Sequence, residues 1–373
     1  MTAQAPEHDE IEVSIFGPGY GETVVVHLGL GEWLLVDSCL DKRTRLPASI
    51  SYLRKLGVNP GTAVKIIVAS HWHDDHVGGL ASVFDECQSA KFCCSVSLRT
   101  TEFVALVRSV GTRSIDRGVQ EFAKILNILR GRAIGAKQGS CGPQWAIENT
   151  KLWQRSSGSC AGEVIALSPS SAAMTLSFNE IAQIVPQTSE QKKKIVATRP
   201  NQAAVVLWVT LGDQSIILGS DLEEETSDST RGWSVIVDST TKPVGTAQIF
   251  KIPHHGSENG HHPRVWSEML VREPFAVLSP FVKGGVALPK RGDVRRICQI
   301  TPNAFSTTSI APPQQKKRHG ALERTIKEVV RSIRTIPDTP GHVRLRKKIS
   351  NANEIWRVEL LDGAVRLSEA IVA

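Results

Sequence analysis

Residues 64–76 read Val64-Lys65-Ile66-Ile67-Val68-Ala69-Ser70-His71-Trp72-His73-Asp74-Asp75-His76, and Gly78-Gly79 follow closely. The β-branched, apolar run Ile66-Ile67-Val68-Ala69 predicts a buried strand. The two glycines permit a tight turn into the next helix. The polar residues therefore stand where a strand ends, on a loop braced by a sheet. His71 and His73 are two apart. In extended backbone such residues project to the same side, so both imidazoles can reach one cation. Asp75 and His76 come after the turn and can reach a second cation beside it. Imidazole with carboxylate suits zinc, and also manganese or iron.

The rest of the chain sets the context. Its 373 residues are 41% hydrophobic and 22% charged, ordinary for a globular protein with one large domain or about two. No apolar stretch is long enough to span a bilayer. The acidic start MTAQAPEHDEIEV has no hydrophobic core of the kind a secretory signal needs. Cys39, Cys87, Cys93, Cys94, Cys141, Cys160 and Cys298 are odd in number and show no CxxC spacing. A reduced, cytoplasmic protein with free thiols is expected. The net charge is +7, unevenly spread: fifteen Lys and Arg stand against four acidic residues between Pro289 and Lys348. That basic segment points to an anionic partner, with nucleic acid first and no membrane.

Strands are expected at Ile11–Phe16, Thr23–Leu28, Trp33–Val36, Ala203–Leu211, Ser215–Gly219, Ala247–Ile252 and Ala276–Ser279. Helices are expected at Ser49–Leu56, Thr101–Val110, Val119–Leu129, Ala172–Val185 and Leu322–Ile333. Residues 131–162, rich in Gly, Ser and Cys, read as a long loop or cap, and Gln187–Lys194 as a surface loop. Trp356–Leu361 and Ala364–Leu367 suggest a closing hairpin. On Leu322–Ile333, Arg324, Lys327, Arg331 and Arg334 form a basic stripe that would grip a nucleic-acid backbone without reading its sequence.

One loop does not supply enough ligands for two cations. Asp221 follows the strand Ser215–Gly219, a position from which it can bind metal or cap a helix over 222–226. His254 and His255 follow another strand, and one of them is expected to bind the second cation with Asp75, His76 and Asp221, leaving the other for substrate. No histidine stands between His76 and His254.

The pattern His71-x-His73-x-Asp75-His76 resembles the signature of the metallo-β-lactamase superfamily. The resemblance implies a four-layer αβ/βα sandwich, α/β in class, with two mixed sheets face to face and helices outside. It also implies two divalent metal ions, zinc first and manganese second, with Asp221 between them and Asp75 and Asp221 as the catalytic carboxylates. Members that hydrolyse β-lactams or thioesters carry a further metal-binding histidine in the interval where this chain has none. The resemblance sharpens toward the C-terminal domain of the competence protein ComEC. It rests on the loop Phe16–Glu22, the strand ending in Asp37, Ser70–Gly79, Asn201 through Asp221, and Lys251-x-x-His254-His255-Gly256-Ser257. That family's Gly-His-Pro is not evident, and Ala287-Leu288-Pro289 stands near its place. The resemblance covers most of residues 11–300, so a catalytic domain over 1–300, with an insertion at about 100–165, is expected. Residues 301–373 would be a basic helix and hairpin packed on the same domain.

The resemblance implies a metal-dependent phosphodiesterase, a nuclease acting on DNA or RNA through a hydroxide that bridges the metals. Asp37 would orient a ligand from behind, and Asn201, Lys251 and Ser257 would contact phosphate or shape the site. Two alternatives remain. One is a hydrolase of the same fold acting on a cyclic nucleotide, lactone or thioester. The other is a non-catalytic, metal-stabilised module of a larger complex, such as a defence assembly.

Overall fold

The computed structural model describes residues 4–17, 21–99, 117–135, 142–184, 199–283, 285–310, 340–351 and 354–370. In chain order the strands are β1 (Glu10–Gly17), β2 (Thr23–His27), β3 (Trp33–Val36), β4 (Val64–Ala69), β5 (Lys91–Ser95), β6 (Gln144–Ala146), β7 (Thr150–Arg155), β8 (Gly162–Ala166), β9 (Leu207–Leu211), β10 (Gln214–Leu218), β11 (Ala247–Lys251), β12 (Leu270–Leu278), β13 (Phe281–Lys283), β14 (Val286–Leu288), β15 (Ala304–Ser306), β16 (Gly341–Lys348), β17 (Arg357–Leu361) and β18 (Val365–Arg366).

Alternation along β4 explains the layering. Ile66 and Val68 pack on one side and Ile67 and Ala69 on the other, and all four are buried. A strand buried on both faces needs a layer on each. One sheet runs β17-β16-β1-β2-β3-β4-β5-β6 and the second runs β18-β15-β12-β11-β10-β9-β8-β7. Both mix parallel and antiparallel pairs. Between them lies a core that includes Val13, Val26, Ile66, Val68, Val209, Ile216 and Ile249. Outside the first sheet, Ile67 and Leu35 pack on Ile50, Leu53, Phe84 and Phe122 of the helices Ala48–Lys55, Leu80–Glu86 and Arg117–Gly135. Outside the second, Ile217 and Phe250 pack on Trp233, Val237, Val294 and Ile297 of Gly232–Asp238 and Arg291–Ile300. This is the four-layer αβ/βα sandwich that the motif implies.

Three readings of the sequence change. Residues 131–162 are not one long loop: the helix Arg117–Gly135 runs into them, and β6 and β7 form the outer strands of the two sheets. The closing hairpin does not form. β17 pairs with β16 in one sheet and β18 with β15 in the other, so the last turns carry the chain from sheet to sheet. β16 itself escapes hydropathy because it carries Arg344 and Arg346, which are buried on ion pairs with Glu359 and Glu12. Those two arginines belong to the basic C-terminal segment, yet they serve the interior. The expected helices Thr101–Val110 and Leu322–Ile333 and the loop Gln187–Lys194 lie outside the described residues, and with them Arg324, Lys327, Arg331 and Arg334. Among the described residues, no helix is long and apolar enough to cross a membrane.

The topology gathers strand ends. β3 and β4 run parallel, as do β10 and β11. Asp37 follows β3, His71–His76 follow β4, Asp221 follows β10 and His255 follows β11, so all of them collect at one edge of the sandwich. A backbone bond from Val205 to the Ser70 carbonyl, 3.0 Å, ties the two sheets together there.

Candidate metal centre

Asp75, His76, Asp221 and His255 each point one donor atom into a common space, and all these atoms lie within 4.8 Å of one another. The four residues are buried. His76 Nε2 stands 3.3 Å from Asp221 Oδ2 and 3.7 Å from Asp75 Oδ2. His255 Nε2 stands 3.2 Å and 3.4 Å from the same two oxygens.

Each imidazole is held from behind. His76 Nδ1 donates to Asp37 Oδ2 at 2.7 Å. The Asp37 carboxylate is itself fixed by the Ser70 backbone N–H at 2.7 Å and the Ser70 hydroxyl at 2.6 Å. His255 Nδ1 donates to the Ser279 carbonyl at 2.8 Å. With Nδ1 committed, Nε2 is the nitrogen turned to the carboxylates and the one left for a cation once its proton is lost, the arrangement metal-binding histidines use. Phe281 stacks on His255 with centroids 5.1 Å apart and shields the ring.

The structure separates the paired histidines. His255 joins the cluster and His254 does not: both have left-handed backbone, with φ of 54° and 46°, and the turn drives their ring centroids 6.1 Å apart. His254 Nδ1 lies 2.8 Å from Asn259 Oδ1 and 3.0 Å from the Ser257 hydroxyl, and its Nε2 lies 3.3 Å from Asn201 Nδ2. Asn201 also donates to Glu223 at 2.8 Å. His254, Asn201 and Ser257 thus form one network beside the cluster. Asp37 and Ser220 are also left-handed, with φ of 59° and 47°. Such backbone costs about 1–3 kcal/mol per residue and concentrates at functional sites. The helix over 222–226 is absent, so Asp221 caps nothing.

His71 and His73 stand at the side. His71 Nδ1 meets the Ser70 hydroxyl at 2.9 Å, and His71 Nε2 and His73 Nδ1 converge to 3.1 Å. The two nitrogens can share one cation. The His76 ring adjoins the pair, its centroid 4.2 Å from that of His71.

Two residues of the site were not legible in the sequence or were misread there. Glu22 is buried at the base, and its carboxylate pairs with the ammonium of Lys251. Its Oε1 is also 3.9 Å from His76 Nδ1. A lone acid in the Gly-rich segment Gly17–Glu22 gives no local signal, because its partner sits in the other sheet. Gly21 makes the approach possible: its φ is +86°, and a Cβ there would meet the Asp75 carbonyl at 2.9 Å. Lys251, read as a candidate phosphate contact, is only 1% exposed. Its place on β11 turns it inward, onto Glu22 and the Ser220 carbonyl.

The donor set fits divalent cations. Glu22, Asp37, Asp75 and Asp221 bring four buried carboxylates together, with the buried ammonium of Lys251 against them. His76 Nε2, Asp221 Oδ1 and Glu22 Oε2 are buried without a hydrogen-bond partner, and such atoms are costly unless something satisfies them. Burial opposes charge on His255, yet Asp221, Asp75 and Glu22 outweigh it and push the imidazole up to about 10. Burial opposes charge on His76 as well, and Asp221, Asp75 and Asp37 hold it well above the usual range. His71 is the reverse: burial, then His76 and His73, hold it well below, so it presents a lone pair. Burial also lowers His73. The described cysteines are free thiols, and burial pushes Cys87 and Cys93 up to about 12, far from thiolate reactivity.

A family model described as the metallo-β-lactamase superfamily matches residues 16–112, the segment that carries Asp37 and the His71–His76 loop. With the two-sheet sandwich and the buried donor set, the match defines a protein of the metallo-β-lactamase fold. Among solved structures, the chain is similar to the metallo-β-lactamase fold protein YhfI from Bacillus subtilis, 10% identical over 79% of this chain and 95% of that one, with a TM-score of 0.37. It is also similar to a metallo-β-lactamase with a HARLDQ motif from Cronobacter sakazakii, 15% identical over 64% and 73% of the two chains, with a TM-score of 0.32. A third is the metallo-β-lactamase MIM-1 from Novosphingobium pentaromativorans, 17% identical over 68% and 77%, with a TM-score of 0.32. No curated protein matches the chain.

Proposed function

We propose that the protein is a metal-dependent hydrolase of phosphodiesters, acting on DNA or RNA. The observation that carries this reading is the buried cluster Asp75, His76, Asp221 and His255 beside the His71–His73 pair, in a chain with no histidine between His76 and His254. That uneven donor set departs from the β-lactam- and thioester-hydrolysing pattern. The order of Asp37, Ser70–Gly79, Asn201, Asp221 and Lys251–Ser257 along the chain supports likeness to the ComEC domain. The net charge of +7 favours a polyanionic substrate.

Divalent cations held by these residues would supply Lewis acidity, activating water and offsetting charge on a phosphoryl oxygen. The chain's own residues do the rest. Asp75, His76, Asp221 and His255 would hold one cation, and His71 and His73 the other. Asp37 and the Ser279 carbonyl fix the histidine tautomers. His254, set by Asn259 and Ser257, faces Asn201 where a substrate oxygen would approach. The phosphate backbone would lie on the basic C-terminal segment around Arg324, Lys327, Arg331 and Arg334. Incubating the purified protein with DNA, RNA and cyclic nucleotides plus manganese or zinc tests the proposal. Cleavage of polynucleotide supports it. Turnover of lactones or thioesters alone opposes it.

A further inference from the structure

Lys251 is a buried cation at the base of the cluster. Its ammonium meets the Glu22 carboxylate, the Ser220 carbonyl at 2.9 Å, and Asp221 Oδ1 at 3.7 Å. Gly219 allows β10 to come this close to β11, since a Cβ there would meet the Lys251 carbonyl at 2.7 Å. Burying an ammonium beside a metal centre works against cation binding by simple charge repulsion, so its presence calls for a role. The geometry gives one. Asp221 has two oxygens, and Lys251 faces only Oδ1. Oδ2 is the oxygen turned to His76 Nε2 and His255 Nε2. By donating to the Ser220 carbonyl, the ammonium holds the turn that carries Asp221, and its charge lies on the Oδ1 side of that carboxylate. Glu22 anchors the ammonium, so the hold on Asp221 does not drift.

We propose that Lys251, anchored by Glu22, is a positioning residue that makes the two halves of the centre unequal. Asp221 is committed through Oδ2 to the Asp75–His76–His255 set, which takes one cation tightly. The His71–His73 pair is left with two imidazole nitrogens and takes a second cation weakly. This rests on the metal-centre reading above, not on the identity of the substrate.

The test is zinc titration against a chromophoric chelator, with the visible spectrum of the cobalt-substituted protein as a second readout. The native chain should show one tight equivalent and one weaker by at least about tenfold, the scale on which supporting residues tune metal affinity. The double variant Glu22→Gln/Lys251→Met removes both charges together, which leaves no buried ion unpaired. Its tight equivalent should weaken about 10–100-fold, narrowing the gap between the sites, and its cobalt spectrum should change. A folded double variant with the native gap and spectrum overturns the proposal. If circular dichroism shows that the double variant does not fold, Glu22→Gln alone provides the reading. Without its anchor, Lys251 keeps an uncompensated positive charge beside the cluster and no longer holds the Ser220–Asp221 turn in place, so the tight site should weaken, and native affinity there overturns the proposal equally. A native chain with two equal sites overturns it as well. Failure to cleave phosphodiesters, with the gap present and narrowed in the variant, would instead count against the substrate reading alone.

Discussion

Asp37 Oδ2 accepts a hydrogen bond from His76 Nδ1 at 2.7 Å, and Ser70 fixes that carboxylate with two further bonds. One strand end therefore aims the ligand carried by the next. Asp37→Asn keeps the shape but removes the charge that orients the ring. Zinc affinity should fall about 10–100-fold with little loss of secondary structure. Chelator competition measures it, and native affinity in the variant would contradict the role given to Asp37.

The two adjacent histidines should separate cleanly. His255→Ala removes a donor from the four-residue cluster, and elemental analysis should show loss of the tightly held metal. His254→Ala removes a ring bound to Asn259, Ser257 and Asn201, and the tight metal should remain. Equal metal loss in both variants would contradict the assignment.

Metal binding should release protons. In the metal-free protein the facing carboxylates hold His76 well above its usual range and His255 up to about 10, against the opposing effect of burial. His71 is already neutral at pH 7. Filling the tight site at pH 7 should therefore release about two protons, because ligating imidazoles must be neutral. Calorimetry in buffers of different ionisation enthalpy counts them, and a count near zero would contradict the charge state given to the cluster.

The same shift fixes a pH trend. A group whose folded pKa is raised stabilises the fold fully below its unfolded value and loses that contribution as pH rises through the folded value. For His255 the window runs from 6.5 to about 10. The melting temperature of chelator-treated protein should fall across that window. Asp221→Asn should flatten the fall, because it removes the main partner. A melting temperature that rises from pH 6.5 to 10 would contradict this.

Gly21 sits with φ at +86° against the Asp75 carbonyl. Gly21→Ala adds a Cβ at 2.9 Å from that oxygen and should cost about 1–3 kcal/mol, read as a lower midpoint in urea. Because the displaced backbone carries Glu22 and abuts Asp75, metal affinity should fall with stability. A variant as stable as the native protein would show that the loop is not confined as described.

What the sequence discloses here follows from how local each signal is. The run Ile66–Ala69 announces a strand, and the polar cluster after it announces a site, because both sit within one short stretch. Asp221 and His255 were legible for the same reason, each standing just past an apolar run. The choice between His254 and His255 was not, since it depends on backbone turned into the left-handed region at both residues. Glu22 and Lys251 meet across two sheets, and neither has a neighbour in sequence that signals the other. β16 was hidden because its inward charges, Arg344 and Arg346, are neutralised only by Glu359 and Glu12 on other strands. β17 and β18 looked like one hairpin, because hydropathy shows that a strand exists but not which sheet it joins.

The proposed hydrolysis of phosphodiesters has a direct readout. Purified protein loaded with manganese or zinc is incubated with DNA and RNA beside an Asp221→Asn variant, and the products are resolved by length. The native chain should cleave a polynucleotide, and the variant should lose at least about a hundredfold of that activity. Intact DNA and RNA, with metal bound to the native protein, would contradict it.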